Sequence, residues 1–353
     1  MQQQLLSLLR CPVTRSKLQL DVISTNQKKF ANSEQTVIEE AILYSDNAWL
    51  YPVVKGIPRL LVEAFEDYEE FLQTHLHDYD KRKSELYNRY SDFIKKVKKK
   101  NSRTKKSFTQ EWNIFNYEKD RTWNEAAQNL LQGFLEETDE TRESLNGKLI
   151  LDAGCGHGQL TKLIAGTGAI VVGMDFSLSI ERAYERNDQT GALFIQGDVQ
   201  YPPLAFHQFD IVHSSGVLIA TNNTELSFSC LDECVKSDGK LSVWLYHPRK
   251  NVVHNMFNFI RRFTSKLPLN FQYYLYMFIL LPASYIVKRL KGNKQNVREM
   301  MIDILDWFSP EFRWEHTPDE AASWFYKRNY HSIKVTTTTL FGFNIIGIKR
   351  IEA

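Results

Sequence analysis

Between Lys148 and Asp175 the chain reads KLILDAGCGHGQLTKLIAGTGAIVVGMD, and few folds accommodate that order. An apolar run, Leu149-Ile150-Leu151, ends in Asp152 and breaks into alternating glycines, Gly154, Gly156 and Gly158, before a helical pattern starts. The order predicts a strand, a glycine turn and a helix. Glycines at such a turn allow positive φ and let a ligand approach with no Cβ in the way. The helix start aims unpaired N–H groups at whatever lies over the loop. A second apolar strand, Ala169–Met174, ends in Asp175, where nucleoside-binding α/β units hold ribose hydroxyls. A dinucleotide fingerprint needs G-x-G-x-x-G, whereas the third glycine comes one residue early and Gln159 takes its place. NAD is therefore disfavoured.

The run Asp152-Ala-Gly-Cys155-Gly-His-Gly158 resembles the D-x-G-x-G-x-G loop of class I S-adenosylmethionine-dependent methyltransferases. The resemblance implies a Rossmann-like, seven-stranded α/β sheet with helices on both faces. It also implies that the loop lies against the methionine end of the cofactor, that Asp175 with Phe176 takes the ribose, and that an acid after the third strand takes the adenine amine. Asp198, followed by Val199 after Leu193-Phe-Ile-Gln, supplies that acid. A fourth strand, Phe209–His213, brings His213 and Ser214 to the same rim, since open α/β sheets bind ligands off their carboxyl ends. Ile219 and Ala220 stand where related sequences often carry histidines.

The length of 353 residues suggests more than one domain. A net charge of +2 excludes a chain that is a polyanion binder as a whole. Four cysteines, Cys11, Cys155, Cys230 and Cys234, form no C-x-x-C pair, which fits a reducing compartment and no disulfide framework. No basic region precedes a long apolar core at the start, so no signal peptide is expected and the cytoplasm is the expected location. Residues 1–62 read as a small, separate α+β module. Its LLRCPVTRSKLQL and YPVVKGIPRLL resemble the zinc-ribbon-like domain of the activator subunits of tRNA and protein methyltransferases. Thr14 replaces one zinc cysteine and Tyr44-Ser45-Asp46 surround the second position, so no metal is expected.

Residues 63–107 form a charged linker, acidic at Glu66, Asp67, Glu69 and Glu70, then basic from Lys95 to Lys106. The basic run reads either as a solvated helix end or as an electrostatic footprint for RNA or anionic lipid. From Phe108 to the C-terminus runs the methyltransferase-like domain. Its helical preface carries Trp112, either a wall of the cofactor pocket or plain core. A fifth strand, Lys240–His247, precedes a helical insertion over 251–305. Within it Leu267–Val287 has no charged residue over 21 positions, the length of a membrane span. Sheet strands on both sides argue for a lid instead, with a peripheral membrane contact as the other reading. Thr317-Pro318 and Glu320 predict a capping box, and two final strands, Ile333–Leu340 and Phe343–Ile351, a closing hairpin.

The function expected is methyl transfer from S-adenosylmethionine to a small-molecule or lipid-like acceptor. His247, at the end of the fifth strand, and His316, before the capped helix, are the candidate general bases. An RNA-modifying methyltransferase and a non-catalytic cofactor-binding scaffold are the alternatives, with nucleic acid the less favoured partner.

Overall fold

The computed structural model describes residues 1–30, 33–45, 48–114, 129–187, 190–249, 252–290, 292–293 and 295–351. An antiparallel sheet comes first, β1 (Gln19–Phe30), β2 (Ser33–Tyr44), β3 (Leu50–Val54) and β4 (Ile57–Pro58). Helices α1 (Tyr79–Ile114) and α2 (Asn129–Thr138) lead into β5 (Leu149–Ala153), α3 (Gln159–Ala165), β6 (Ile170–Asp175), α4 (Ser179–Arg186) and β7 (Leu193–Gln196). The chain continues through β8 (Phe209–Ser215), α5 (Thr224–Asp232) and β9 (Val235–Tyr246). The insertion holds α6 (Val252–Thr264), α7 (Leu269–Leu275), a π-helical turn (Tyr276–Leu280), α8 (Leu281–Leu290) and α9 (Val297–Phe308). Last come α10 (Pro318–Lys327) and the hairpin β10 (Tyr330–Thr338) and β11 (Gly342–Lys349).

Seven strands form one sheet in the order β10-β11-β9-β8-β5-β6-β7, parallel from β5 to β9 and antiparallel at the closing hairpin. This is the Rossmann-like methyltransferase sheet that the glycine loop implied. Strand alternation builds its two faces. Ile150, Val171 and Ile211 sit side by side and pack on Phe134 and Ile164 of α2 and α3. Leu151, Val172 and Val212, one residue on, face the larger core. Each such side chain contributes roughly 1.5–3 kcal/mol by leaving water.

Residues 1–62, which carry the antiparallel sheet, pack directly on the seven-stranded one. Leu9, Trp49, Tyr51 and Phe65 share one hydrophobic core with Leu151, Val172 and Ile195 of the sheet. Two backbone stitches join them: Leu9 bridges Leu204, and Arg59 pairs in parallel with Gln196, where the Leu60 N–H donates to the Gln196 carbonyl at 2.9 Å. Cys11 is buried, its Sγ 3.2 Å from the Tyr51 hydroxyl, and it accepts from the Thr14 N–H at 3.4 Å.

Helix α1 runs straight through the proposed 107/108 boundary, bending at Tyr90, whose φ of −131° leaves the helical region. Its lysines meet the acidic run that precedes it. Lys105 pairs with Glu63 and Asp67, Lys98 with Glu66, and Lys83 with Glu69. The helical insertion extends three residues past its expected end, to Phe308. At α10, Thr317 Oγ1 accepts from the Glu320 N–H at 3.2 Å, and Asn329 takes φ 61° just beyond the helix. The Glu320 carboxylate pairs with His316 instead of completing the box. A full capping box sits at Asn296 and Glu299, opening α9.

Candidate active site

The strand order reverses between β5 and β8, and crevices at such switch points are where open α/β sheets bind ligands. A cavity of about 710 Å³ lies there, inside the range of roughly 300–1,000 Å³ usual for cofactor and ligand pockets. Gly154 just past β5, Asp175 and Phe176 at the end of β6, Asp198 and Val199 after β7, and Ser215 to Val217 at the end of β8 line it. Gly154 has φ 92°, and a Cβ there would meet Val217 Cγ2 at 2.2 Å. Only glycine fits between the loop and that wall.

Asp175 is the organising carboxylate. Its Oδ2 accepts from the Gly156 N–H at 2.9 Å, and its Oδ1 accepts from Ser177 N–H at 2.8 Å and from the Ser177 hydroxyl at 2.7 Å. The strand-end acid thereby fixes the glycine loop beside it while lining the cavity. Asp198 accepts from the Gln200 N–H at 2.8 Å and from Lys100 Nζ of α1 at 3.0 Å. The lysine also donates to Gln200 Oε1 at 2.8 Å.

The remaining loop residues stand behind the cavity rather than along it. Asp152 is buried and accepts from the Thr161 hydroxyl at 2.6 Å, tying β5 to α3. Burial raises its carboxyl above the usual range, with nearby His213 opposing. Cys155 packs among Ile57, Ile180 and Phe194, and burial pushes its thiol well up. Gly158 precedes α3 at φ 76°, where a Cβ would meet Ala183 and Asn187. Ser214 donates to the Ala153 carbonyl at 2.9 Å and is fully buried. The side chain of Trp112 lies outside the described residues.

His157, in the same loop, has its pKa lowered to about 4, first by burial and then by Arg186. Its folded value lies below its unfolded value of about 6.5, so the unfolded chain takes the proton first. The loop's contribution is complete above pH 6.5 and is lost as pH falls toward 4, up to about 3 kcal/mol. His157→Gln is expected to flatten that part of the stability profile, read as denaturant midpoints between pH 7 and pH 4. An unchanged slope would remove His157 from the account.

Neither histidine expected as a base is among the residues that line the cavity. His247 stands beyond β9 with Nδ1 3.3 Å from the Pro248 carbonyl. His316 pairs with Glu320 at 3.0 Å and packs edge-on against Trp324. Helix α2 brings two further acids to the cavity, Glu136 and, beside it, Glu137. Glu137 Oε2 accepts from His213 Nε2 at 2.7 Å, while Phe134 packs against that imidazole. His213 is 2% exposed and lies behind Glu137, outside the cavity lining. Glu137 carried no signal in the sequence, since GFLEETDE reads as the wet face of a helix. The same cavity includes an aromatic chamber lined by Trp244, Tyr246, Phe312, Leu340 and Phe341, together with Asp306.

Residues 151–243 match the family described as methyltransferase domain. The match covers about a quarter of the chain and makes this segment a methyltransferase domain. The chain is 27% identical over 183 residues to a ubiquinone biosynthesis O-methyltransferase of Glaesserella parasuis, covering 49% of this chain and 68% of that protein. It is 31% identical over 122 residues to an uncharacterized methyltransferase of Synechocystis, covering 31% of this chain and 57% of that one. The match thus spans between about half and two thirds of each relative. Among solved structures, magnesium protoporphyrin IX methyltransferase from Synechocystis with bound S-adenosylmethionine is similar at 14% identity and a TM-score of 0.38, over 63% of this chain and 79% of that one.

Proposed function

We propose that the chain methylates a small-molecule or lipid-like acceptor held in the aromatic end of the cavity. The observation that carries this reading is the continuity of one cavity from Asp175 and Asp198 to the Trp244, Tyr246 and Phe341 chamber. The residues fit an adenosyl cofactor: a carboxylate for ribose hydroxyls at Asp175, an acceptor for an exocyclic amine at Asp198, and a loop with no room for a Cβ at Gly154. When bound, S-adenosylmethionine supplies a methyl group already activated on a sulfonium. The chain's own task is then to align an acceptor atom and keep water out. The aromatic walls do the second. For a hydroxyl acceptor Glu137 takes the proton, and His213, donating from behind, fixes the carboxylate's direction.

Glu137→Gln is expected to lower kcat by about 10²–10⁴-fold with KM for the cofactor unchanged. A pH profile of kcat that is the same in the variant as in the wild type would remove Glu137 as the base. The reading as a whole is tested by incubating the protein with methyl-labelled cofactor and fractionated cell extract. Label in a small or lipid-soluble product supports it, label in RNA favours the RNA-modifying alternative, and cofactor binding with no labelled product favours the scaffold. The pairing of Lys98 and Lys105 with acids weakens the case for an RNA footprint on α1. A lipid-like acceptor is met at a membrane face, and the 267–287 segment is the part of the insertion suited to a peripheral contact there.

A further inference from the structure

The insertion is apolar on two sides. Phe257 and Ile260 of α6 pack inward, and Phe257 and Tyr276 both meet Phe308 of α9, with ring centroids 5.8 and 5.7 Å away. The opposite stripe of α6, Val252, Met256, Phe259 and Phe263, is exposed by 50–84%. Along α7, the π-helical turn and α8 the same is true of Phe271, Tyr274, Phe278, Ile286 and Leu290. A helix whose outer stripe is as apolar as its inner one requires cover on both sides.

Charge says what that cover is. From residue 239 to 298 the chain has no Asp or Glu, against eleven Lys and Arg. A chain with 42 acids in 353 residues would place about seven in such a span. Arg262 and Lys266 lie on the exposed side of the α6 end, and Arg289 on that of α8. A second copy of the same face would bring only positive charge against it. Among the described residues no helix is long and apolar enough to cross a membrane, and Gln272 and Tyr276 are buried against the protein. A helix so anchored can lie along a bilayer but not span it.

We propose that the outer face of α6, α7 and α8 docks on an anionic lipid bilayer, the aromatic and aliphatic stripe entering the headgroup boundary and the arginines and lysines meeting lipid phosphates. The inference rests on the reading of 267–287 as a membrane contact and is independent of methyl transfer. The same insertion supplies Asp306 of α9 to the cavity.

The test is co-sedimentation of the full chain with vesicles. Binding to phosphatidylglycerol-rich vesicles is expected to exceed binding to pure phosphatidylcholine at least tenfold and to weaken with salt. The double variant Phe259→Asp/Phe278→Asp, and separately Arg262→Glu/Lys266→Glu, should each lose at least tenfold. S-adenosylhomocysteine affinity, read on the same samples, should stay at the wild-type value, which shows that the variants are folded and separates this proposal from the methyltransferase reading. Equal binding to both vesicle types, no binding to either, or variants that bind like wild type would overturn it. So would a wild-type dimer that the aspartate variant turns into a monomer.

Discussion

Asp175→Ala is expected to weaken S-adenosylhomocysteine binding by at least about a hundredfold in isothermal titration. Two losses combine. The carboxylate that would hold the ribose is gone, and the Gly156 N–H loses the acceptor that sets the glycine loop. Hydrogen bonds to a charged group are worth about 1.5–3 kcal/mol each, and two of them reach that fold-change. Asp175→Asn keeps the shape and loses the charge, so it should fall between the variant and the wild type. The loss of the Ser177 contacts should cost stability as well, which a melt of the unliganded protein separates from affinity. Wild-type affinity in the alanine variant would remove Asp175 from the site and the cofactor assignment with it.

The second large effect is on folding. Arg59→Ala is expected to destabilise the protein by about 3 kcal/mol, since it empties a buried position at the meeting of four groups. The Arg59 side chain is completely buried; its Nη2 pairs with Glu181 at 2.7 Å, its Nη1 lies 3.4 Å from Gln196 Oε1, and its guanidinium stands 5.3 Å from the Tyr68 ring. Burial already pushes the Tyr68 hydroxyl up to about 12, so it keeps its proton and donates a hydrogen bond to Gln196 Oε1 at 3.3 Å. Arg59→Lys retains charge but not the planar stack and should recover only part. A denaturant midpoint unchanged by the alanine substitution would mean that the N-terminal sheet is held by apolar packing alone.

What the amino-acid order disclosed was local. Gly154, Gly156 and Gly158 between an apolar run and a helix can do little else than turn a strand into a helix, and Asp175 and Asp198 could be placed because strand ends are local too. The pairing of Glu137 with His213 was not legible because 76 residues separate them and each is ordinary alone. His213 stands at a strand end in the sequence, but its ring goes down into the α2 packing. The charged linker misled for the same reason. Read along the chain it is an acidic block and a basic block; folded, α1 sets Lys98 and Lys105 against Glu63, Glu66 and Asp67. The 21-residue uncharged stretch revealed its length but not its faces, since Tyr276 and Phe278 differ only in which side of a turn they occupy.

The stitch between Arg59 and Gln196 also bears on how far the chain can be shortened. Strand β7 is the last of its row, and the backbone of residues 59 and 60 is what meets its outer side. Cutting the chain at Phe108 to isolate the catalytic half would leave β7 with free amides and carbonyls and uncover Leu151, Val172 and Ile195, which are buried with the first 62 residues. Bare strands of that kind recruit one another between molecules, so a trimmed version should precipitate rather than work. The front of this protein is a selvedge, and the cloth frays without it.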